Sequence, residues 1–226
     1  HGDQAHQLGC ILDSKFNTGW MPGDIKGAFL ADTYDTVLVG KEYVSSGGFD
    51  HPAQWSASGE STVSGGTLNV ADGADNETIF NSGGAAFPRG KTALVTFDII
   101  NADANYGVRA CLVNPATGAI LSTLGGTYYT TSGSYAVTVT ETPVVDWVVG
   151  FQRIAPHTGT LKIDNVSVIP AVADRSVNAN ALIVNGTITC SPVAEGADLV
   201  AFSGFSASNY LEQPYNPALD FGAGDL

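Results

Sequence analysis

Oxygen-bearing side chains occur in two short groups whose spacing is of the kind that calcium loops use. One group places them at every second residue and the other clusters three carboxylates: Asn101, Asp103 and Asn105, then Asp72, Asp75 and Glu77. Calcium in proteins takes six to eight oxygen ligands from such side chains and from backbone carbonyls. Neither group continues into the rest of an EF-hand loop, and Asn and Asp are also typical of turns. The sequence therefore favours polar turns at both places.

Catalytic chemistry has no recognisable motif in this chain. A hydrolase needs a nucleophile beside a base, or two carboxylates across a cleft. The sequence contains neither G-x-S-x-G nor H-E-x-x-H. The four histidines lie outside any such context: His1, His6, His51 and His157. We expect a protein that is not an enzyme.

Three cysteines lie far apart along the chain and form no C-x-x-C pair of a zinc or redox site: Cys10, Cys111 and Cys190. The first interpretation is that all three are small buried residues, with Cys111 a thiol on a predicted strand. The alternative is a disulfide to a neighbouring subunit through Cys10 or Cys190, because both lie in segments that lack a core of their own.

Composition restricts both the fold class and the partners. The 226 residues carry a formal net charge of −13, from 9 Lys and Arg against 22 Asp and Glu. This charge repels phosphate backbones and anionic bilayers, so we expect no nucleic-acid partner and no membrane. Hydrophobic residues make up 44% and charged residues 14%, which predicts a folded chain. With 27 glycines and few long-chain helix formers, the sequence predicts an all-β protein.

Alternating apolar residues and turn signals recur between residues 47 and 170. Ser64-Gly65-Gly66 predicts a hairpin, and Val95, Phe97 and Ile99 share one face of a half-buried strand. A second hairpin is predicted for 108–113 and 119–124, joined by a Pro- and Gly-containing turn. Further strands are predicted at 135–140, 145–151 and 161–169. This spacing predicts a two-sheet jelly-roll sandwich of roughly seven to nine strands.

The last of these strands changes its pattern in the middle. Leu161 and Ile163 stand at odd positions, whereas Val166 and Val168 stand at even ones, so a regular strand would point the two pairs to opposite faces. All four can lie on one apolar face only if the strand contains one extra residue between the pairs. We predict a β-bulge near Asp164-Asn165.

The flanking regions differ from the predicted sandwich in their pattern of apolar and turn-forming residues. Residues 1–46 lack sustained periodicity and are predicted to be an extended connecting segment that needs partners. Residues 171–202 are predicted to be a linker followed by a β-hairpin, because Asn185-Gly186 is a strong two-residue turn signal. Residues 203–226 end on a strand-and-turn pattern with no strands after it, which predicts the start of a truncated domain.

Several segments together resemble known families. Ser46-Gly47-Gly48-Phe49-Asp50, Trp55 and the closing strand 159–168 resemble carbohydrate-binding modules with a galactose-binding-like jelly roll. Residues 209–216 and 219–225 resemble the first strands of laminin-G-like domains. A connecting segment, a jelly roll and a laminin-G-like start in this order resemble fibre, collar and tail-associated proteins of tailed bacteriophages.

The jelly-roll resemblance implies two kinds of site. A structural calcium between the first and last strands would use positions matching Asp50 and Asp164, although Asp164 has the alternative role of capping the bulge. No other cofactor is implied. Sugar binding would use exposed aromatic rings, and the candidates outside the clear core pattern are Trp55, Tyr106, Tyr128 and Tyr129. For Trp55 the alternative is packing at the end of the sandwich.

Two functions from different classes follow from these resemblances. The first is a structural virion protein in an extracellular particle: a homotrimeric fibre, collar or tail-associated subunit that contacts other virion proteins. Its jelly roll would act as a spacer or would attach to a host-surface glycan. The alternative is a carbohydrate-binding accessory module of a secreted bacterial glycan-degrading enzyme or adhesin.

Overall fold

The chain divides into two compact units. The computed structural model describes residues 9–12, 17–20, 37–57, 61–70, 78–102, 107–124, 128–140, 143–153, 161–173, 181–192 and 200–214. Residues 42–169 form one unit, called here the sandwich unit. Residues 1–41 together with 170–226 form the other, called here the terminal unit.

Regular structure in the described residues is almost entirely β. The strands are β1 (Gly9–Leu12), β2 (Asn17–Trp20), β3 (Val37–Val39), β4 (Thr62–Ser64), β5 (Thr67–Val70), β6 (Thr78–Phe80), β7 (Ala93–Asn101), β8 (Val108–Val113), β9 (Ile120–Thr123), β10 (Gly133–Val139), β11 (Val148–Arg153), β12 (Leu161–Val172), β13 (Leu182–Asn185), β14 (Thr187–Pro192), β15 (Val200–Ser203) and β16 (Tyr210–Glu212). In the part of the chain that the structure describes, one 3-10 turn occurs, at Pro52–Gln54. Within the described ranges, no helix has the length and apolar character needed to cross a bilayer.

Two sheets build the sandwich unit. One has the order β4-β5-β12-β7-β10 and the other the order β6-β11-β8-β9. Apolar side chains of both sheets fill one core, including Leu68 and Phe97 from the first sheet and Leu112 and Phe151 from the second. The predicted all-β, two-sheet sandwich is confirmed.

The predicted hairpins of the sandwich unit are present. β4 pairs with β5 through Gly65 and Gly66, whose φ angles of 63° and 73° suit a two-residue turn of the mirror-image type. β8 pairs with β9 around a turn in which the Asn114 side chain accepts a hydrogen bond from the Ala116 N–H at 2.9 Å. Gly118 closes this turn with a φ of 71°.

The predicted bulge in β12 is also present, at Asn165. Its φ of 51° lies in the left-handed region, which Asn tolerates better than most residues. The Asp164 carboxylate accepts a hydrogen bond from the Asn165 N–H at 2.7 Å, and the Asn165 amide donates to Asp98 Oδ2 at 2.7 Å. Ile163 and Val166 therefore both face the core while Asn165 is exposed.

The first residues of the sandwich unit, 42–47, lie along the second half of β12. The Tyr43 N–H donates to the Val168 carbonyl, and the Val166 N–H donates to the Gly47 carbonyl, both at 3.0 Å. The Glu42 carboxylate accepts hydrogen bonds from the Val168 N–H at 2.8 Å and from the Ser167 hydroxyl. Gly47 must be glycine, because a Cβ there would lie 1.9 Å from the Val166 carbonyl oxygen.

The terminal unit contains strands from both ends of the chain. β3 and β15 flank β14, while β13 lies between β16 and the last residues of β12. β1 pairs with β2. A small core joins the strands other than β1 and β2, through Val172, Val184 and Ile188, with Leu38, Leu182, Phe202 and Leu211 packed against it.

The turn at Asn185-Gly186 differs from the prediction. Strands form on both sides of it, but β13 and β14 belong to different sheets and do not pair with each other. Other segments take the hydrogen bonds of this turn. The Gly40 N–H donates to the Gly186 carbonyl at 2.7 Å, and the Thr187 N–H donates to the Asn209 side chain at 3.1 Å. The turn is a corner between two sheets, and β14 pairs antiparallel with β3 beside the turn and with β15 further along.

Two adjacent glycines provide a stability test. Gly47→Ala should lower the free energy of unfolding by about 2 kcal/mol or more, because the new methyl group collides with backbone rather than with a flexible side chain. Gly48→Ala is the matched control, since its nearest neighbour would be Asp50 Oδ2 at 3.7 Å. Urea denaturation of both variants measures the difference. Equal midpoints would contradict the close packing of Gly47 against β12.

Candidate functional site

The four-stranded sheet of the sandwich unit has a polar row on its outer face, the face turned away from the core. Thr78, Gln152 and Arg109 follow one another across β6, β11 and β8, because Gln152 is in register with both Thr78 and Arg109. Their chain neighbours Ile79, Phe151 and Ala110 point into the core. Alternation along the strands therefore places the three polar side chains on the outer face.

Arg109 and Gln152 form a tight cross-strand pair. Arg109 Nε donates to Gln152 Oε1 at 2.7 Å, and Arg109 Nη2 donates to the same oxygen. Gln152 is 6% exposed, whereas Arg109 is half-buried. The amide thus holds one edge of the guanidinium in a fixed orientation.

Two consecutive tyrosines at this edge have opposite environments. Tyr129 pairs with Val108 through two backbone hydrogen bonds of 2.8 and 3.3 Å, and its ring packs edge-on against Phe97 and Tyr135. Burial is the main cause that raises the pKa of Tyr129, and the neighbouring Tyr135 adds to it. Tyr128 points the other way and is 48% exposed. The buried ring therefore anchors the backbone that presents the exposed one.

Arg109 also lies over the exposed ring. Its guanidinium carbon is 5.7 Å from the centroid of the Tyr128 ring, within the range of a cation–π interaction. A flat aromatic surface, a fixed guanidinium and a buried amide thus lie together on the sheet. This set, Tyr128, Arg109 and Gln152, is called here the Tyr128 platform.

Apolar residues occupy the adjoining rows of the same face. Cys111, Val113 and Val148 are buried there, with Phe80, Ala86 and Ile120 packed against them. Gly150 leaves the space that these side chains fill, because a Cβ at this position would lie 2.7 Å from Val113 Cγ2. Desolvation raises the pKa of Cys111 to about 12, and the charge of Arg109 opposes this rise.

The other aromatic candidates do not join the platform. Trp55 is 5% exposed, packs against Phe49 and Phe151, and donates its indole N–H to the Ser46 carbonyl at 3.0 Å. It is a core residue rather than an exposed ring, and its faces are not accessible to a sugar. Tyr129 is 9% exposed and likewise belongs to the core. Tyr106 lies outside the described residues.

The predicted calcium ligands are placed as follows. Asp50 is exposed, and one oxygen of Asp164 accepts the hydrogen bond that stabilises the bulge. Across the described ranges, no three His, Cys, Asp or Glu side chains come together as a metal-binding group. Asn101 ends β7, whereas Asp103, Asn105 and the group 72–77 lie outside the described residues. Calcium at Asp50 and Asp164 stays a prediction.

The two flanking cysteines were candidates for a bridge between subunits. Cys190 is 3% exposed and sits opposite Phe202 in the β14–β15 pair, so its sulfur is covered by its own chain. A disulfide to another subunit would require this pair to open. The backbone of Cys10 lies in β1, and its side chain is outside the described part.

Comparisons with known proteins find likeness only at the level of solved structures. No protein-family model and no curated protein matches the sequence. A family 29 carbohydrate-binding module variant in complex with cellohexaose matches with 11% identity and a TM-score of 0.39, covering 60% of this chain and 93% of that one. Another variant, in complex with mannohexaose, has 15% identity and a TM-score of 0.36 over 60% and 91% of the two chains.

Arg109 and Gln152 were not among the predicted site residues. They are 43 positions apart, and only the register of β8 with β11 brings them together. The available signal was polarity at a strand position whose neighbours are apolar, since Arg109 and Gln152 each interrupt an apolar stretch.

The environment of Cys111 can be tested by alkylation. With a pKa of about 12, almost none of this thiol is ionised at pH 8, and its burial also blocks access of the reagent. Iodoacetamide at pH 8 should leave the Cys111 peptide unlabelled in the folded protein and label it fully in urea. Mass spectrometry of the digest distinguishes it from the other two cysteines. Equal labelling rates with and without urea would contradict the buried position.

Proposed function

We propose that the sandwich unit is a non-catalytic glycan-binding module whose ligand contacts the Tyr128 platform. The observation that carries this proposal is the half-exposed Tyr128 ring with the Arg109 guanidinium fixed over one of its faces, which leaves the other face for a sugar to stack on. Pyranose faces present C–H groups that stack on aromatic rings, and their hydroxyl groups accept hydrogen bonds from guanidinium donors. The platform offers both kinds of contact on one surface.

The position of the platform suits binding rather than turnover. Tyr128 is fixed through the backbone pair of Tyr129 with Val108, and Arg109 is fixed through Gln152. Side chains held in place before the ligand arrives lose less conformational entropy on binding. The groups of the platform are a phenol, a guanidinium and an amide, which supply contacts but neither a nucleophile with its base nor a carboxylate pair.

Replacing the exposed ring tests the function directly. Tyr128→Ala should weaken glycan binding by about tenfold or more, because the stacking surface is lost. Tyr210→Ala is the matched control, since Tyr210 is similarly exposed at 41% but belongs to the terminal unit. A glycan array identifies ligands, and titration calorimetry with soluble oligosaccharides measures affinity without multivalent effects. Full affinity in Tyr128→Ala would remove the platform as the binding site.

We also propose, as a second candidate, that the chain is a structural subunit of a virion with this module as its adhesive or spacer part. The terminal unit supports this proposal because it exposes large apolar side chains. Val39 is 50% exposed, Phe205 55% and Tyr210 41%. The proposal requires these three side chains to belong to one contiguous apolar patch, because contiguous patches rather than single exposed residues mark protein-binding surfaces. An accessory module of a secreted glycan-degrading enzyme remains the rival, and its partner would be a catalytic domain.

A virion fibre subunit should assemble with copies of itself. We expect a homotrimer, so light scattering at micromolar concentration should give three times the mass of the chain. Phe205→Ser should shift the mass towards the monomer because it removes exposed apolar area. Val144→Ser is the control, since Val144 is 80% exposed but belongs to the sandwich unit. A stable monomer of the unchanged chain would contradict the fibre role and leave glycan binding unaffected.

A further inference from the structure

Arg109 is a cation whose partners in the described structure are all neutral. Its donors reach the Gln152 amide oxygen, and its plane lies near the Tyr128 ring. No carboxylate of the described residues pairs with it. This is notable in a chain with 22 acidic and only 9 basic residues.

The pairing with Gln152 uses only one edge of the guanidinium. Of its five N–H groups, one on Nε and one on Nη2 point at Gln152 Oε1. Of the remaining three donors, one on Nη1 and one on Nη2 point side by side along the end of the fork, and the second on Nη1 points back along the side chain. That end has the geometry that binds the two oxygens of a carboxylate side by side.

The surroundings strengthen a charge contact at this position. The two adjoining rows of the same face carry Cys111, then Val113 with Val148, all buried and apolar. Arg109 itself is half-buried, so water screens its charge less than that of a fully exposed arginine. An anion bound here would gain more from Arg109 than from a cation on a mobile side chain.

From this geometry we infer that the Tyr128 platform selects acidic glycans: a uronic acid or similar sugar stacks on Tyr128 and its carboxylate binds the open end of Arg109. The inference rests on the proposed glycan-binding function and specifies its ligand class. The net charge of −13 repels such a ligand at long range. At physiological salt this repulsion is screened beyond about 8 Å, so the contact with Arg109 decides the preference.

The test compares ligands that differ only in the carboxylate. Mannohexaose and cellohexaose are titrated against the full chain beside their C6-oxidised counterparts, at 0.15 M salt. We expect the oxidised form of at least one backbone to bind about tenfold more tightly than the neutral form, as for a hydrogen-bonded ion pair. Tyr128→Ala should weaken both forms, because stacking does not depend on the carboxylate.

Two variants separate the charge from the fold. Arg109→Gln should remove the preference, so that the affinities for the oxidised and the neutral form of the same backbone become equal within about twofold. Gln152→Glu keeps the size of the side chain but gives Arg109 a carboxylate partner, and it should remove the preference in the same way. Arg89→Gln is the matched control, because Arg89 is an arginine of the same unit that donates to the Val144 carbonyl at 3.1 Å. It should change neither affinity.

The outcomes distinguish this inference from the proposed function. Equal binding of neutral and oxidised forms, unchanged in Gln152→Glu, would overturn the acidic preference and leave the glycan-binding function standing. An absence of binding to every glycan on the array and to all four hexasaccharides would overturn both. Loss of the preference in Arg89→Gln as well would assign it to overall charge rather than to Arg109, and would also overturn the inference.

Discussion

The sandwich unit depends on one change of direction, the bulge at Asn165. Without an extra residue there, Leu161 and Ile163 would face the core while Val166 and Val168 faced solvent. Asn165 is this extra residue: it adopts a left-handed conformation, and its hydrogen bonds to Asp164 and Asp98 stabilise that conformation. β12 can then pair with β5 and β7 while its second half bonds to the segment at 43–47. The bulge at one residue thus lets both halves of β12 face the core while the strand keeps its backbone hydrogen bonds on either side.

Local patterns predicted those parts of the fold that local chemistry decides. Glycine at a two-residue turn, alternation along β7 and the parity change in β12 each depend on a few consecutive residues, and each is present in the structure. Asn185-Gly186 was a strong turn signal that the structure uses differently. Its hydrogen-bonding groups are taken by Gly40 and Asn209, which are distant in sequence. The residues of the turn therefore do not reveal that distant segments compete for its backbone hydrogen bonds.

The same distinction applies to the candidate site. The sequence identified Tyr128 and Tyr129 as aromatic residues outside the core pattern, but it did not separate their roles. The bridge to Val108 buries Tyr129 and turns Tyr128 outward. Arg109 and Gln152 become partners only through the register of β8 and β11, and that register is set by the apolar residues on the opposite face. A core on one side of the sheet therefore determines which polar side chains meet on the other side.

The pairing of Arg109 with Gln152 also fixes the orientation of the guanidinium. A free arginine side chain loses about 2 kcal/mol of rotamer entropy when a ligand fixes it. Arg109 is already fixed by Gln152, which is itself buried in the sheet, and by the ring of Tyr128. A carboxylate as the fixing partner would have neutralised the charge, whereas the neutral amide of Gln152 does not. The choice of Gln at position 152 thus orients the cation and preserves its electrostatic field.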